Sequence, residues 1–271
     1  MIVWLDRIPL VGVYLVTMAI VLGAIAAGYW TGAWQSKRGA TQGDGAIGST
    51  VAAMLGLLAF LMAFTFGATA SRFDTRRQLL LDEVNAIGTA DLRTTFLPEP
   101  QRSRCKQLLR SYVDQRADPD NSPSALQRRI EASEKILDQL WAETTSLAEA
   151  RMDPPLRSLF VQAINETIDL HTSRVTVGVH YRIPDSIWLC LYGATFCAMF
   201  GVGYQFGLAT QKKVLIHLLL AALFSMVVLL IADLDRANEG YVKVDQLPMQ
   251  YLQKQLNETA NVSHSGVVPA N

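Results

Sequence analysis

The sequence lacks the motifs on which catalytic and extracellular proteins usually depend. Its three cysteines, Cys105, Cys190 and Cys197, form no CxxC pair, and an odd count gives no disulfide framework. There is no HExxH, no glycine-rich phosphate loop and no nucleophile motif, and the four histidines lack metal-ligand spacing. The formal net charge is zero, so nothing indicates a nucleic-acid partner. We therefore predict no enzymatic activity, no metal, no cofactor and no nucleic acid.

Charge is also absent from four long stretches of the chain. Half of the 271 residues are hydrophobic, and uncharged runs cover about 9–30, 46–70, 186–209 and 214–232. A helix of about 20 residues crosses the ~30 Å hydrocarbon core of a bilayer, a length that the first three runs exceed and the fourth narrowly meets. The sequence therefore predicts a polytopic membrane protein with four transmembrane helices. Within the third run, Cys190 and Cys197 share a helix face, and we interpret them as small packing residues.

The four runs divide the chain into membrane and polar parts. Residues 1–71 form a first transmembrane hairpin, 72–185 a polar segment, 186–232 a second hairpin and 233–271 a tail. Apolar residues in the polar segment recur at three-to-four spacing, which favours helices. The predicted fold class is all-α, with four transmembrane helices and a helical cytoplasmic layer.

Local start signals locate the helices of the polar segment. Ser122 is a candidate N-cap followed by Pro123 at the first helical position, and Asp153 followed by two prolines repeats the pattern. Two more helices are predicted at about 72–94 and 100–117, on either side of a "PEP" break.

Charge near the membrane predicts the orientation. Eight lysines and arginines lie close to the spans on the side shared by both termini and the polar segment, against four in the two short loops. The positive-inside rule therefore predicts that the N-terminus, the C-terminus and the helical layer are cytoplasmic.

The second span has an unusual face. At about 100° per residue, small residues and two phenylalanines form one continuous stripe. The stripe consists of Ser49, Ala53, Gly56, Phe60, Phe64, Gly67 and Ser71. Small and polar residues favour close approach or a cavity over contact with lipid.

Two interpretations of this stripe remain open from the spacing. If several copies surround an axis, Phe60 and Phe64 form two aromatic rings that exclude water when narrow, as in a hydrophobic gate. Ser49, Ala53, Gly67 and Ser71 would then line the pore. Alternatively, both phenylalanines pack between helices of one subunit.

The stretch "GLLAFLMAFTFGATASRF", residues 56–73, resembles the neck helix of the bestrophin channels. In those channels an aliphatic residue and two phenylalanines at four-residue intervals precede a small polar stretch and Arg-Trp-Trp. This sequence matches at Phe60, Phe64, Arg72 and Phe73. It departs at Gly56, where the family has a bulky aliphatic residue, and at Asp74, where it has the second tryptophan.

The chain also resembles bacterial membrane proteins with a bestrophin-like domain, a family of unknown function. The resemblance is carried by "AFTFGATASRFDTRRQLLLDEVNAIGTADLRTTFLPEP", "LLRSYVDQR", "INETIDLHTSR" and "DLDRANEGYVKVDQLP". It implies a bestrophin-like fold, a bacterial inner-membrane location among lipid, a homo-oligomer (a pentamer) and conduction of inorganic ions.

Charged residues follow the predicted neck. Arg72, Asp74 and Arg76 are assigned to an inner vestibule, and nearby Asp82 and Glu83 could pair with Arg76 and Arg77 or with arginines of adjacent helices. The alternative is that this belt is a solvated, salt-bridged helix surface.

The acidic residues of the tail bear on calcium. Animal bestrophins are gated by calcium held in an acidic cluster after the fourth span. Here that region has Asp233, Asp235 and Glu239 with Arg236 among them, too few and too mixed for a calcium site. We predict no gating by calcium.

Two other classes of function remain alternatives. A four-span subunit of a proton-driven motor would need polar groups at the midplane of its last two spans. Those spans have few, namely Cys190, Thr195, Cys197, Gln205, His217 and Ser225. The other alternative is a non-conducting membrane scaffold or regulator.

Overall fold

The structure, a computed structural model, confirms the all-α prediction. It describes residues 8–38, 44–118, 120, 122–149, 152–209, 214–236 and 240–265, and these contain no β-strand. The α-helices in this part of the chain are α1 (Leu10–Lys37), α2 (Asp44–Arg93), α3 (Gln101–Ala117), α4 (Pro123–Glu149), α5 (Pro154–Val175), α6 (Asp185–Leu208), α7 (Val214–Asp235) and α8 (Leu247–Ser265).

Four of these helices are long and apolar enough to cross a membrane. They are α1, α6, α7 and the apolar part of α2. The four predicted spans are therefore confirmed as helices. Lys212 and Lys213, two of the four basic residues of the short loops, lie outside the described residues.

α2 differs from its prediction because it is one helix of 50 residues. The sequence predicts a separate helix from residue 72, where the composition changes from apolar to charged. No proline lies between Asp44 and Arg93, and alanine, leucine and arginine are strong helix formers, so a change of solvent does not end the helix. It ends at a short 3₁₀ turn, Thr94–Phe96, just before the "PEP" sequence.

The chain forms two compact units. The first comprises Met1–Phe73 and Arg182–Lys243, and the second comprises Asp74–Tyr181 and Val244–Asn271. Each unit has its own hydrophobic core.

In the first unit, glycines bring α1 and α6 together. A Cβ at Gly28 would lie 2.0 Å from the carbonyl oxygen of Phe200, and one at Gly203 would lie 2.0 Å from that of Ile25. No side chain fits at such distances, so the backbones of the two helices touch, as in small-residue packing of membrane helices.

In the second unit, α3 packs against α4 and α8, and α4 packs against α5. Tyr112 of α3 and Phe160 of α5 are fully buried in this core. α8, which the sequence analysis left as tail, contributes Met249, Leu252 and Leu256. α4 and α5 begin at the prolines from which they were predicted to start.

Candidate functional site

The seven stripe residues of α2 all lie on the outside of the protomer. Ser49, Ala53, Gly56, Gly67 and Ser71 are exposed. The rings of Phe60 and Phe64 are 65% and 66% exposed.

The opposite face of α2 is the one that packs in the first unit. Leu58 is fully buried there, with Val51, Met62, Thr65 and Thr69 at most 6% exposed. Packing of the two phenylalanines between helices of one subunit is therefore excluded, because that arrangement would bury their rings.

The stripe glycines are not required by the packing of the protomer. A Cβ at Gly56 or Gly67 would have no atom within 4 Å, whereas one at Gly28 would collide with α6. Glycine costs about 0.5–1 kcal/mol relative to alanine inside a helix. The fold of a single copy therefore gives no reason for glycine at these two positions.

The three residues assigned to the inner vestibule have different surroundings. Arg72 is half-buried, and its Nη1 lies 3.4 Å from the Oδ1 atom of Asp235. Asp74 is exposed, and Arg76 is buried at 8% exposure. The structure therefore does not bring Arg72, Asp74 and Arg76 onto one exposed surface of the protomer.

Asp235 joins three helices of the first unit. Besides its contact with Arg72 of α2, its carboxylate accepts a hydrogen bond from the backbone N–H of Ile183, 3.1 Å away, just before α6. The guanidinium of Arg182 donates to the backbone carbonyl of Asp235 at the end of α7. A carboxylate with such partners helps to fix the ends of these helices.

Asp233 organises the turn that follows α7. Its carboxylate accepts hydrogen bonds from the backbone N–H groups of Tyr241, at 2.8 Å, and Val242, at 3.1 Å. Gly240 has φ of +115°, and a Cβ there would lie 1.9 Å from the Oδ1 atom of Asp233, so this position requires glycine. Glu239 lies outside the described residues, and no metal-binding group of three or more acidic, histidine or cysteine side chains occurs among those described.

A buried polar cluster in the second unit was missed by the sequence analysis. The carboxylate of Glu83 on α2 is fully buried and forms ion pairs with Arg116 of α3, at 3.2 Å, and Arg174 of α5. The hydroxyl of Tyr112 donates a hydrogen bond to Glu83 and also lies 3.0 Å from Nδ1 of His171. We call these five residues the Glu83 cluster.

Burial changes the acid–base behaviour of the Glu83 cluster. Burial and, next, the charge of Glu83 raise the pKa of Tyr112, so its hydroxyl keeps its proton. Burial and, next, the charge of Arg116 lower the pKa of His171 to about 4. Nε2 of His171 is buried without a hydrogen-bond partner, so a proton there would gain no partner among the described residues.

The partners of Glu83 are not those on its own helix. Helical spacing in the sequence predicts that Asp82 and Glu83 lie near Arg76 and Arg77, one to two turns away, with arginines of adjacent helices as the alternative partners. The alternative is correct for Glu83, because its position faces the core of the unit. All five members of the cluster lie in the segments that carry the family resemblance, and that was the available signal.

The surroundings of two cysteines differ from those expected from the sequence. Cys105 is buried in α3, but Cys190 and Cys197 of α6 are both exposed. The two exposed cysteines are therefore not packing residues of the protomer core.

Comparison of the whole fold identifies structural relatives. The chain is similar to a crystal structure of a point variant of a bacterial bestrophin homologue from Klebsiella pneumoniae. The TM-score is 0.68 at 13% sequence identity, and the match covers 91% of this chain and 98% of that chain. A second crystal structure of a bestrophin homologue from the same organism gives a TM-score of 0.63, 15% identity, and coverage of 95% and 98%. At these identities the likeness shows a shared fold.

The family is shown by the sequence itself. No curated protein matches the chain. The model of the bestrophin-like domain, however, matches residues 14–249, which is most of the sequence. The chain is therefore a membrane protein of the bestrophin-like domain family.

Proposed function

We propose that this protein is an oligomeric ion channel in which α2 of each copy lines a shared pore. The observation that carries the proposal is the exposed stripe of α2, with Phe60 and Phe64 at its centre and glycines that no contact within the protomer explains. The bestrophin-like family and the fold it shares with bacterial bestrophin homologues support the same function.

The composition of the stripe favours a shared axis over lipid. Exposed positions on α7 carry large aliphatic residues, such as Leu215, Leu219 and Leu223, which suit acyl chains. The stripe instead carries glycine, alanine and serine on either side of two aromatic rings. Small residues allow neighbouring copies of a helix to approach closely.

Phe60 and Phe64 form the neck of the proposed pore, with Gly56 beside them. The two rings are one helical turn apart, about 6 Å along the axis. A narrow apolar constriction expels water and blocks ions, and a small widening lets water and ions through. Ser49 and Ala53 line the pore before the neck, and Gly67 and Ser71 line it after the neck.

The remaining features follow from the family and from charge. The proposed assembly is a pentamer in the bacterial inner membrane, with both termini cytoplasmic. Of the three residues assigned to the inner vestibule, Asp74 is exposed and is proposed to face it, whereas Arg72 is half-buried beside Asp235 and Arg76 is buried. The proposed permeant species are inorganic ions, and the neck presents no fixed charge to them. We propose no gating by calcium. Supporting this, the carboxylates of Asp233 and Asp235 accept hydrogen bonds from backbone N–H groups, and Asp235 also contacts Arg72.

Single-channel recording tests the proposal. The purified protein in planar bilayers should give discrete current steps, and the double substitution Phe60→Ala, Phe64→Ala should raise their conductance or open probability. The matched control is Phe66→Ala, because Phe66 is exposed on the same helix but outside the stripe. Absence of steps, or equal effects of the two variants, would refute the proposed neck.

A further inference from the structure

A second feature of the first unit is an apolar groove between α2 and α6. It encloses about 370 Å³ and is lined by Ile47, Val51 and Met54 of α2 and by Phe200, Gly201 and Tyr204 of α6. This volume lies within the range of sites for small molecules, about 300–1,000 Å³. Neither the proposed pore nor the Glu83 cluster uses it.

The lining of the groove has no free polar group to recognise a polar ligand. Thr50 donates its hydroxyl proton to the backbone carbonyl of Ala46, 2.9 Å away. The hydroxyl of Tyr204 donates to the Oε1 atom of Gln35, 2.7 Å away. None of the lining residues is charged. Water and polar ligands therefore gain little there, and hydrocarbon is the chemistry that fits.

The depth of the groove can be read from the aromatic residues of α1. A Cβ at Gly32 would lie 2.3 Å from the carbonyl oxygen of Tyr204, so this part of α1 touches Tyr204. Trp30 and Trp34 beside it are 82% and 58% exposed, and the guanidinium of Arg38 lies 3.6 Å from the ring of Trp34. Exposed tryptophans with a cation beyond them mark the membrane interface.

The groove therefore begins at this interface and extends towards the bilayer centre. From Tyr204 to Cys197, which also lines it, α6 rises about 10 Å. That is roughly two-thirds of one leaflet of a ~30 Å hydrocarbon core. Both walls are helices that are apolar enough to span the membrane, so the groove opens where acyl chains lie.

We propose that this groove binds the acyl chain of a phospholipid from the leaflet at this end of α6. Its hydrocarbon lining and its depth match an acyl chain that lies along α6 with its headgroup near Tyr204 and Gln35. The acyl chain is held by van der Waals contact. Moving it from the bilayer to an apolar protein wall removes no further apolar surface from water, so the hydrophobic effect does not contribute.

On α2 the groove borders the stripe. Ala46 lies at the same helix angle as Phe64, and Thr50 lies about 40° further round, whereas Ile47, Val51 and Met54 are centred about a third of a turn from the two phenylalanines. A second copy packed beside the stripe is therefore the competing occupant of the groove, and crosslinks from groove residues distinguish it from lipid.

Gly201 keeps the groove open. A Cβ at this position would lie 3.1 Å from Cγ2 of Val51 and 3.6 Å from the sulfur of Met54. A large side chain there would occupy the space of the acyl chain. Cys197 offers a second place to fill the groove, and Cys190 offers a control, because it is exposed two turns away on the same face of α6 and does not line the groove.

Photolabelling with a lipid tests the proposal. The full-length protein is reconstituted in phosphatidylcholine vesicles that contain a small fraction of phosphatidylcholine with a diazirine on its acyl chain. After irradiation, labelled peptides are mapped by mass spectrometry. Residues of the groove should be labelled about threefold more than the exposed Leu219 and Leu223 of α7. A chain between two helices is surrounded largely by protein into which its carbene inserts, whereas a chain against the open face of α7 is surrounded largely by other lipids.

The variants separate bound from surrounding lipid. Gly201→Phe and Cys197→Phe should each remove the excess label, whereas Cys190→Phe should leave it unchanged. If Gly201→Phe does not fold, the test uses Cys197→Phe together with the ratio of groove labelling to α7 labelling in the unmodified protein. Equal labelling of the groove and of α7, or crosslinks from groove residues to a second copy of the chain, would overturn the proposal.

Discussion

The guanidinium of Arg116 lies 3.2 Å from the fully buried carboxylate of Glu83, and Arg174 pairs with the same carboxylate from another helix. A single residue of α2 is thus held by α3 and α5. The carboxylate is the acidic partner of two nearly buried arginines, so its removal should lower the free energy of unfolding.

Glu83→Gln should destabilise the protein by about 3–5 kcal/mol, because it leaves two buried arginines without their counter-charge. The measurement is thermal unfolding in detergent followed by circular dichroism. Glu258→Gln is the matched control, since Glu258 and Lys254 form an exposed pair at 3.9 Å and such pairs contribute about 0–1 kcal/mol. Equal shifts for the two variants would show that the Glu83 cluster is not a stabilising element.

His171 should make stability depend on pH. Its pKa in the folded protein is about 4, below the ordinary value of 6.5, and the cause is first burial and then Arg116. The unfolded chain binds the proton at higher pH, so this contribution is complete above about pH 6.5 and is lost as the pH falls towards 4. The other groups that face the imidazole in the cluster are Glu83, Tyr112 and Arg174.

The corresponding experiment compares the unmodified protein with His171→Leu between pH 7 and pH 4. The unmodified protein should lose about 2–3 kcal/mol more stability over this range than the variant does. Parallel curves for the two proteins would show that His171 titrates normally.

Crosslinking tests whether the stripe faces other copies of the chain. In a background with Cys190→Ser and Cys197→Ser, Phe64→Cys should give a ladder of linked subunits with a short bifunctional maleimide. The highest band should be a pentamer. Leu223→Cys on α7 is the control, because Leu223 is similarly exposed, at 61% against 66%, but lies on a face assigned to lipid. A ladder from Leu223→Cys and none from Phe64→Cys would show that α7, and not α2, faces the other copies.

The glycines of the first unit should divide into two classes. Gly23→Ala on α1 should leave the thermal stability of the protein unchanged or raise it by up to about 1 kcal/mol, because nothing lies near its Cβ and alanine favours a helix. Gly203→Ala should be strongly destabilising, because its Cβ would lie 2.0 Å from the carbonyl oxygen of Ile25. Thermal unfolding of both variants makes the comparison, and equal losses would mean that close backbone contact is not what requires glycine at position 203.

Much of the fold was predictable because it depends on local pattern. Runs without charge identify the spans, and proline and cap residues identify the starts of α4 and α5. The same local reasoning failed at residue 72, since a change from apolar to charged residues marks a change of surroundings and not the end of a helix. It also left α8 unrecognised, where Met249, Leu252 and Leu256 are separated by polar residues and reveal their role only against the core.

The candidate site was predictable in part for a similar reason. Helical geometry alone puts Phe60 and Phe64 on one stripe with Gly56 and Gly67. Geometry within one helix does not say which face packs against neighbouring helices, so burial of the two rings remained an open alternative.

The sequence by itself determined the four apolar spans, the helical character of the rest and the stripe on α2, because these are properties of residues close together in the chain. Only the tertiary structure decided that the stripe points out of the protomer, that Glu83 meets Arg116 and Arg174, and that α2 and α6 leave a groove. Each of these depends on contacts between helices far apart in sequence, and periodicity along one helix carries no information about its neighbours.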